Sequence, residues 1–191
     1  MTTDPKIVPE AKTIPTISYR EATELSYFGA KVLHPRAIEP AIKKGIPVRV
    51  KCTFDPEDPG TQIVRDNVPK EDVIKAVTLH QNVELLNISG AGMIGTLGVA
   101  ARAFTALAEA GINIVMISQG SSEANISMVI EEGQADRADE ALRSEFPRDV
   151  VKEISHDHDV CTVAVTGSGM AGTPGVAARV FKAMGQAKIN V

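Results

Sequence analysis

The chain has 191 residues, 43% of them hydrophobic and 23% charged, with a formal net charge of −4; this suffices for a buried core and excludes a disordered chain, which needs fewer apolar residues and more net charge. The 20 Lys and Arg against 24 Asp and Glu, with 4% aromatic residues and no Trp, give neither the basic excess nor the stacking platforms of a nucleic-acid binder. No apolar run approaches a membrane span, and Met1-Thr2-Thr3-Asp4-Pro5-Lys6 lacks the basic-then-apolar order of a signal peptide, so no membrane role and a cytoplasmic location are expected.

Ser18 with Glu21 three residues later reads as a capping box opening a helix that Gly29 closes. Pro35 suits the first position of a second helix, with His34 as a structural cap and Gly45 as its end. Residues 46–54 alternate as a strand, 55–60 form a turn, 67–72 a linker and 73–79 another strand. A strand at 83–89, a helix at 98–110 stopped by Gly111, strands at 112–118 and 125–131, a helix at 135–146 ended by Pro147 and a strand at 150–155 follow. Their order is βαββαβ, the ferredoxin-like arrangement.

Residues 88–114 and 165–191 are in register at an offset of 77, with 15 of 27 positions identical, so one supersecondary unit occurs twice. His156-Asp157-His158-Asp159, between the copies, reads as a polar turn rather than a metal site, since adjacent ligands seldom converge on one ion. Cys52 and Cys161 lie in separate apolar stretches without metal-type spacing and are expected to be buried free thiols. No acid–base pair or nucleophilic triad is evident, and Glu131-Glu132 and residues 137–143 read as solvated surface.

Gly90-Ala91-Gly92-Met93-Ile94-Gly95 and Gly167-Ser168-Gly169-Met170-Ala171-Gly172 match G-x-G-x-x-G between a strand and a helix. A dinucleotide site also wants an acid at the end of the next strand and a second crossover helix; residues 115–118 hold no acid and a hairpin follows. Two readings stay open. The glycines allow a tight turn against the sheet, or the backbone N–H groups at the helix start bind a small carboxylate such as that of an amino acid.

Several strings resemble a known family. Thr2-Thr3-Asp4-Pro5-Lys6, Ile17-Ser18-Tyr19, Phe28-Gly29-Ala30-Lys31-Val32-Leu33-His34-Pro35 and Ile46-Pro47-Val48-Arg49-Val50 are similar to the end of the catalytic domain of aspartate kinases. Met116-Ile117-Ser118-Gln119-Gly120-Ser121-Ser122-Glu123 is similar to the first ACT regulatory repeat of those enzymes. The resemblance implies an α/β (α+β) chain: 1–70 the C-terminal part of an amino-acid kinase domain, 71–82 a linker and strand, 83–155 a first ACT repeat, and 156–191 a truncated second one. It implies phosphorylation of the L-aspartate side chain by ATP with Mg2+ in a complete enzyme, with feedback control by an amino acid and a homodimer formed through the ACT repeats.

The lysine-bearing K-F-G-G segment of the family is absent, so a fragment inactive by itself is expected, with no catalytic residue and no metal ligand of its own. The ATP-contacting positions fall on Lys6 and Lys31; lysine suits phosphate charge at the latter, while Lys6 stands where the family has arginine. The effector positions fall on Met93, Ile94, Gly95, Thr96, Asn113, Gln119, Ser122 and Glu123, with Asn190 as the repeat copy of Asn113. Some lysine-inhibited members have an aspartate where this chain has Val115, which with Gln119 tilts the implied effector to L-threonine over L-lysine. Two other parents fit the sequence: a stand-alone amino-acid-sensing module, which leaves residues 1–70 without a role, and a bifunctional aspartate kinase and homoserine dehydrogenase.

Overall fold

Ser18 and Glu21 form the box their spacing predicts. The Glu21 carboxylate accepts from the Ser18 N–H at 2.8 Å and the Ser18 hydroxyl at 3.1 Å, while the Glu21 N–H donates to Ser18 Oγ at 3.2 Å. The computed structural model in which this is seen describes residues 1–27, 34–65 and 73–191, and only the backbone of Pro35. The expected stop at Gly29 and the linker at 67–72 lie outside the described residues.

The chain divides into two units, Met1–Leu79 with Val163–Val191, and His80–Thr162. In the first, strand β1 (Thr16–Ser18) leads into helix α1 (Tyr19–Tyr27), followed by α2 (Pro35–Lys44), β2 (Val48–Val50) and β3 (Thr61–Val64). β3 lies between β1, which is parallel to it, and β2, which is antiparallel. Ile14, Ile17, Tyr19, Ala22, Leu25, Ile38, Ile63 and Ala76 make its core. His34 caps α2, its Nδ1 accepting from the Arg36 N–H at 3.2 Å, and Gly45 ends the helix at φ 65°.

The expected strand 46–54 is only three residues long. Beyond Val50 the chain curls, because Lys51 Nζ donates to the Pro56 carbonyl and Asp58 Oδ1 accepts from the Gly60 N–H, each at 2.6 Å. Phe54 is left 98% exposed and Cys52 is exposed, not buried.

The second unit holds β4 (Ala76–Ser89, entering from the first), α3 (Val99–Glu109), β5 (Ile114–Gln119), β6 (Asn125–Glu131), α4 (Ala135–Glu145) and β7 (Glu153–Thr166, leaving to the first). This is the expected βαββαβ order, in a sheet ordered β5-β6-β4-β7. The alternation of Ile126, Met128 and Ile130 on β6, with Leu86 and Ile88 on β4, buries one sheet face under Ala103, Leu107, Ala138 and Leu142 of the two helices.

Two expectations about strands are corrected. Strands expected at 73–79 and 83–89 are one, β4, because the ladder runs through the polar residues between them: Glu132 N–H donates to the Asn82 carbonyl at 3.1 Å, and His80 lies 3.8 Å from Glu131. His156 to Asp159 is likewise no turn but part of β7, where His156 faces Asp139 at 3.6 Å and His158 faces Glu84 at 3.1 Å. Cys161, on the same strand, is exposed rather than buried. No group of metal-ligating side chains occurs among the described residues.

The repeat extends further upstream than its glycine strings. Lys152 N–H donates to the Ser89 carbonyl at 2.9 Å, and 77 residues earlier Lys75 N–H donates to the Thr166 carbonyl at 2.8 Å. Residues 73–75 therefore serve the second copy as 150–152 serve the first. The second copy continues through α5 (Val176–Gln186), whose N-cap Gly175 is left-handed at φ 84°, as Gly98 before α3 is at φ 80°.

Candidate functional site: the first glycine loop

The first glycine loop connects β4 to α3 through one turn of 3-10 helix, Ala91–Met93. Its first two glycines are there for close approach: a Cβ at Gly90 would meet the Val150 carbonyl oxygen at 2.2 Å, and one at Gly92 the Asp149 carbonyl oxygen at 2.0 Å. Gly95 faces open space but takes φ +69°. The tight-turn reading thus accounts for the glycines, and the carboxylate reading rests on the N–H groups the turn presents.

One of those groups already holds a carboxylate. Gly95 N–H donates to Glu123 Oε2 at 3.2 Å, and Glu123 itself sits in the left-handed region at φ 58°. Register brings these residues to one end of the sheet, since Ser89 pairs with Asn125 and Gln119 with Ile126. Ile94, Thr96, Ser122 and Gln119 are exposed there, Thr96 Oγ1 donating back to the Gly92 carbonyl at 2.6 Å. Ile94 and Leu97, 57% and 94% exposed, give the loop an apolar rim.

Arg102, on the first turns of α3, is committed elsewhere. It binds the Glu145 carboxylate at 2.6 Å and the Glu145 carbonyl at 2.8 Å, and stacks 4.6 Å above the Phe146 ring. Arg102 therefore offers no free cation to an anion at this loop end.

Not every expected residue joins the cluster. Met93 is 1% exposed, its side chain in the core. Asn113 precedes β5 while Gln119 ends it, which at strand rise separates them by about 20 Å. Asn190 is exposed in the tail after α5. Lys6 lies in an exposed turn in which Asp4 Oδ1 accepts its N–H at 2.8 Å, and Lys31 lies outside the described residues. A single exposed ammonium makes no nucleotide site, so no step of phosphoryl transfer follows from these residues.

Two buried carboxylates were missed from the sequence as site features. Glu84 accepts from the N–H groups of Gly133 at 2.9 Å and Ala135 at 3.1 Å, capping the start of α4 from a neighbouring strand. Its signal was an acid inside the apolar run Val83-Glu84-Leu85-Leu86. Burial pushes this carboxyl up, but the Gly133 N–H, His158 and the Ala135 N–H outweigh it and hold the group below its ordinary range. The other is Glu21, whose further partners lie far along the chain.

Residues 1–52 match the amino acid kinase family, and residues 86–146 with 163–191 match the ACT domain. Together with the βαββαβ unit these define the class: an amino-acid kinase segment joined to ACT-type regulatory repeats. A bifunctional aspartokinase/homoserine dehydrogenase of Haemophilus influenzae is 42% identical over 195 residues, which take in 100% of this chain and 24% of that protein. The crystal structure of Escherichia coli aspartokinase III in complex with lysine and aspartate superposes with a TM-score of 0.73 at 29% identity, over 95% of this chain and 40% of that one. The ligand-free regulatory subunit of aspartate kinase from Thermus thermophilus is 30% identical with a TM-score of 0.55, over 62% of this chain and 79% of that one. The chain belongs to the aspartate kinase family and carries its regulatory ACT region. It spans about a quarter of the length of the curated relatives it matches. Among the described residues no helix is long and apolar enough to cross a membrane.

Proposed function

We propose that the chain is the regulatory joint of an aspartate kinase, an enzyme that transfers the γ-phosphoryl group of ATP, with Mg2+, to the side-chain carboxylate of L-aspartate. In this reading the first glycine loop senses an end-product amino acid, L-threonine ahead of L-lysine, while Lys6 and Lys31 serve the nucleotide in the complete protein. β5 is an edge strand with Met116 and Ile117 about half exposed, and a second copy covering that edge forms the homodimer. The likeness to a bifunctional relative favours a parent that also carries a homoserine dehydrogenase part.

The observation that carries the sensing function is Glu123 on Gly95. The loop amide binds a carboxylate now, and it holds a non-glycine residue at positive φ, at a cost of roughly 1 kcal/mol. An amino acid's carboxylate replaces that of Glu123 on the amide; the freed Glu123 side chain then takes the ammonium, and Gln119 takes the ligand's side chain.

A thermal-shift screen of amino acids on the 191-residue chain tests this, since a ligand at one hundred times its Kd adds about 2.7 kcal/mol to the native state. Threonine or lysine should raise the melting temperature. Glu123→Gln and Gln119→Ala should remove the shift, whereas Asn113→Ala, at the far end of β5, should leave it. No shift with any aspartate-family amino acid would sink the sensing reading, and absence of hydroxamate formation from aspartate and ATP by the complete protein would sink the kinase reading.

A further inference from the structure

The two oxygens of Glu21 serve different parts of the first unit. Oε2 accepts from Ser18 and closes the first turn of α1. Oε1 accepts from the N–H of Ser168 at 2.9 Å, in the second glycine loop, 147 residues further along the chain. The Lys75 ammonium lies against both, 3.3 Å from Oε1 and 3.4 Å from Oε2. The side chains of Lys75 and Glu21 are only 6% and 4% exposed. Burial alone would push the Glu21 carboxyl up, but the hydrogen bonds from Ser18 and Ser168 and the Lys75 ammonium hold it below its ordinary range.

The repeat fold does not by itself call for this arrangement. Lys152 occupies the same place in the first copy and makes the same backbone bond, yet it is exposed. A buried ion pair is a poor source of stability, because desolvation offsets the attraction. What Lys75 and Glu21 add is a connection between elements distant in sequence.

The connection is also stiff. At Gly167 a Cβ would stand 2.3 Å from the Val73 carbonyl oxygen and 3.0 Å from Ile74 Cα, so the loop lies directly on the strand that carries Lys75. Close backbone approach joins the loop to residues 73–75, and hydrogen bonds to the Glu21 carboxylate from Lys75 and the Ser168 N–H join both to α1.

We propose that Glu21 is a positioning residue that holds α1 in register with the second glycine loop, so that displacement of the loop is passed to α1. Its regulatory purpose rests on reading residues 1–52 as the end of a kinase domain and the repeats as its sensor. The linkage is independent of any kinase activity.

Amide hydrogen exchange on the full 191-residue chain tests the linkage. Ser168→Pro removes the loop donor and should speed exchange at residues 23–27 of α1 by about fivefold, the size of one net hydrogen bond. In a Glu21→Ala background, which leaves the Ser168 N–H no side-chain acceptor, the same change should add less than about twofold. Lys75→Met, which leaves the loop backbone untouched, should speed exchange both in α1 and at residues 168–172 while the amides of Leu86 and Met128 keep their rates. The proposal is overturned if Ser168→Pro leaves α1 unchanged, if its effect multiplies independently with that of Glu21→Ala, or if Lys75→Met accelerates all amides alike. Where Ser168→Pro does not fold, Lys75→Met decides alone. Loss of the linkage would appear in these rates, and failure of the kinase reading would appear only in the activity of the complete protein.

Discussion

Glycines that look alike in G-x-G-x-x-G do unlike things, and substitution separates them. A methyl at Gly92 would sit 2.0 Å from a backbone oxygen that belongs to the turn before β7 and has no soft side chain to yield, whereas at Gly95 nothing lies within 4 Å and only the φ of +69° opposes it. Gly92→Ala should therefore cost about 3 kcal/mol or prevent folding, and Gly95→Ala about 1 kcal/mol, read from urea midpoints. Equal effects would contradict this reading. Charge at the residue scale gives a second expectation. The ordinary carboxyl value for Glu84 is 4.5 and the folded value lies below it, so its contribution is fully present above about pH 4.5 and is lost as pH falls through the folded value. Glu21 shifts in the same direction. Glu84→Gln can keep one of the two helix-capping bonds, from Gly133 or Ala135, so it should lose about 1–3 kcal/mol at neutral pH and show a flatter stability profile as pH falls below 4.5. A variant with the acid dependence of the parent would show that Glu84 is not the group responsible.

At the scale of elements, what the sequence disclosed depended on whether the deciding contact was local. The box at Ser18 and Glu21, His34 capping α2, Gly45 ending it and the seven-residue alternation of β6 are all settled within a few residues, and each stands where its pattern put it. The sequence pattern divides β4 into two strands and ends β7 at Ser155, because His80-Gln81-Asn82 and His156 to Asp159 are polar; partners such as Glu131, Glu84 and Asp139, which let them stay extended, come from elsewhere. The same limit hid the second and third partners of Glu21. In the candidate site, the loop residues and Glu123 follow from motif and resemblance, while the placing of Gln119 beside them, opposite Ile126, needed the register of β5. Packing of α3 against α4 is where an element-scale test is cleanest. Leu107 and Leu142 are fully buried between the helices and the sheet, so Leu107→Ala should cost about 2–5 kcal/mol with no change in the thermal response to amino acids, since it lies two turns from the loop. A lost response in a folded variant would mean that the site depends on the far end of α3.

At the scale of the whole molecule, each of the two hydrophobic clusters among the described residues stays within its own unit. All the buried residues of the larger cluster, from Leu86 to Ile154, belong to residues 80–162, while the smaller runs from Ile14 to Ala76. A continuous segment that holds its core, both covering helices and the greater part of each strand of its sheet has what independent folding requires. The excised segment 80–162 should therefore unfold in one cooperative transition, with calorimetric and van't Hoff enthalpies agreeing. It also contains every member of the loop-end cluster, Ile94, Gly95, Thr96, Gln119, Ser122 and Glu123, so it should keep the melting shift with threonine or lysine expected of the 191-residue chain. Binding that survives in the excised unit, at any fraction of the original affinity, places the sensing chemistry within one ACT repeat. A unit that folds cooperatively but no longer responds, while the 191-residue chain does, would instead assign part of the ligand's contacts to residues outside 80–162, with Asn190 first among them to be substituted.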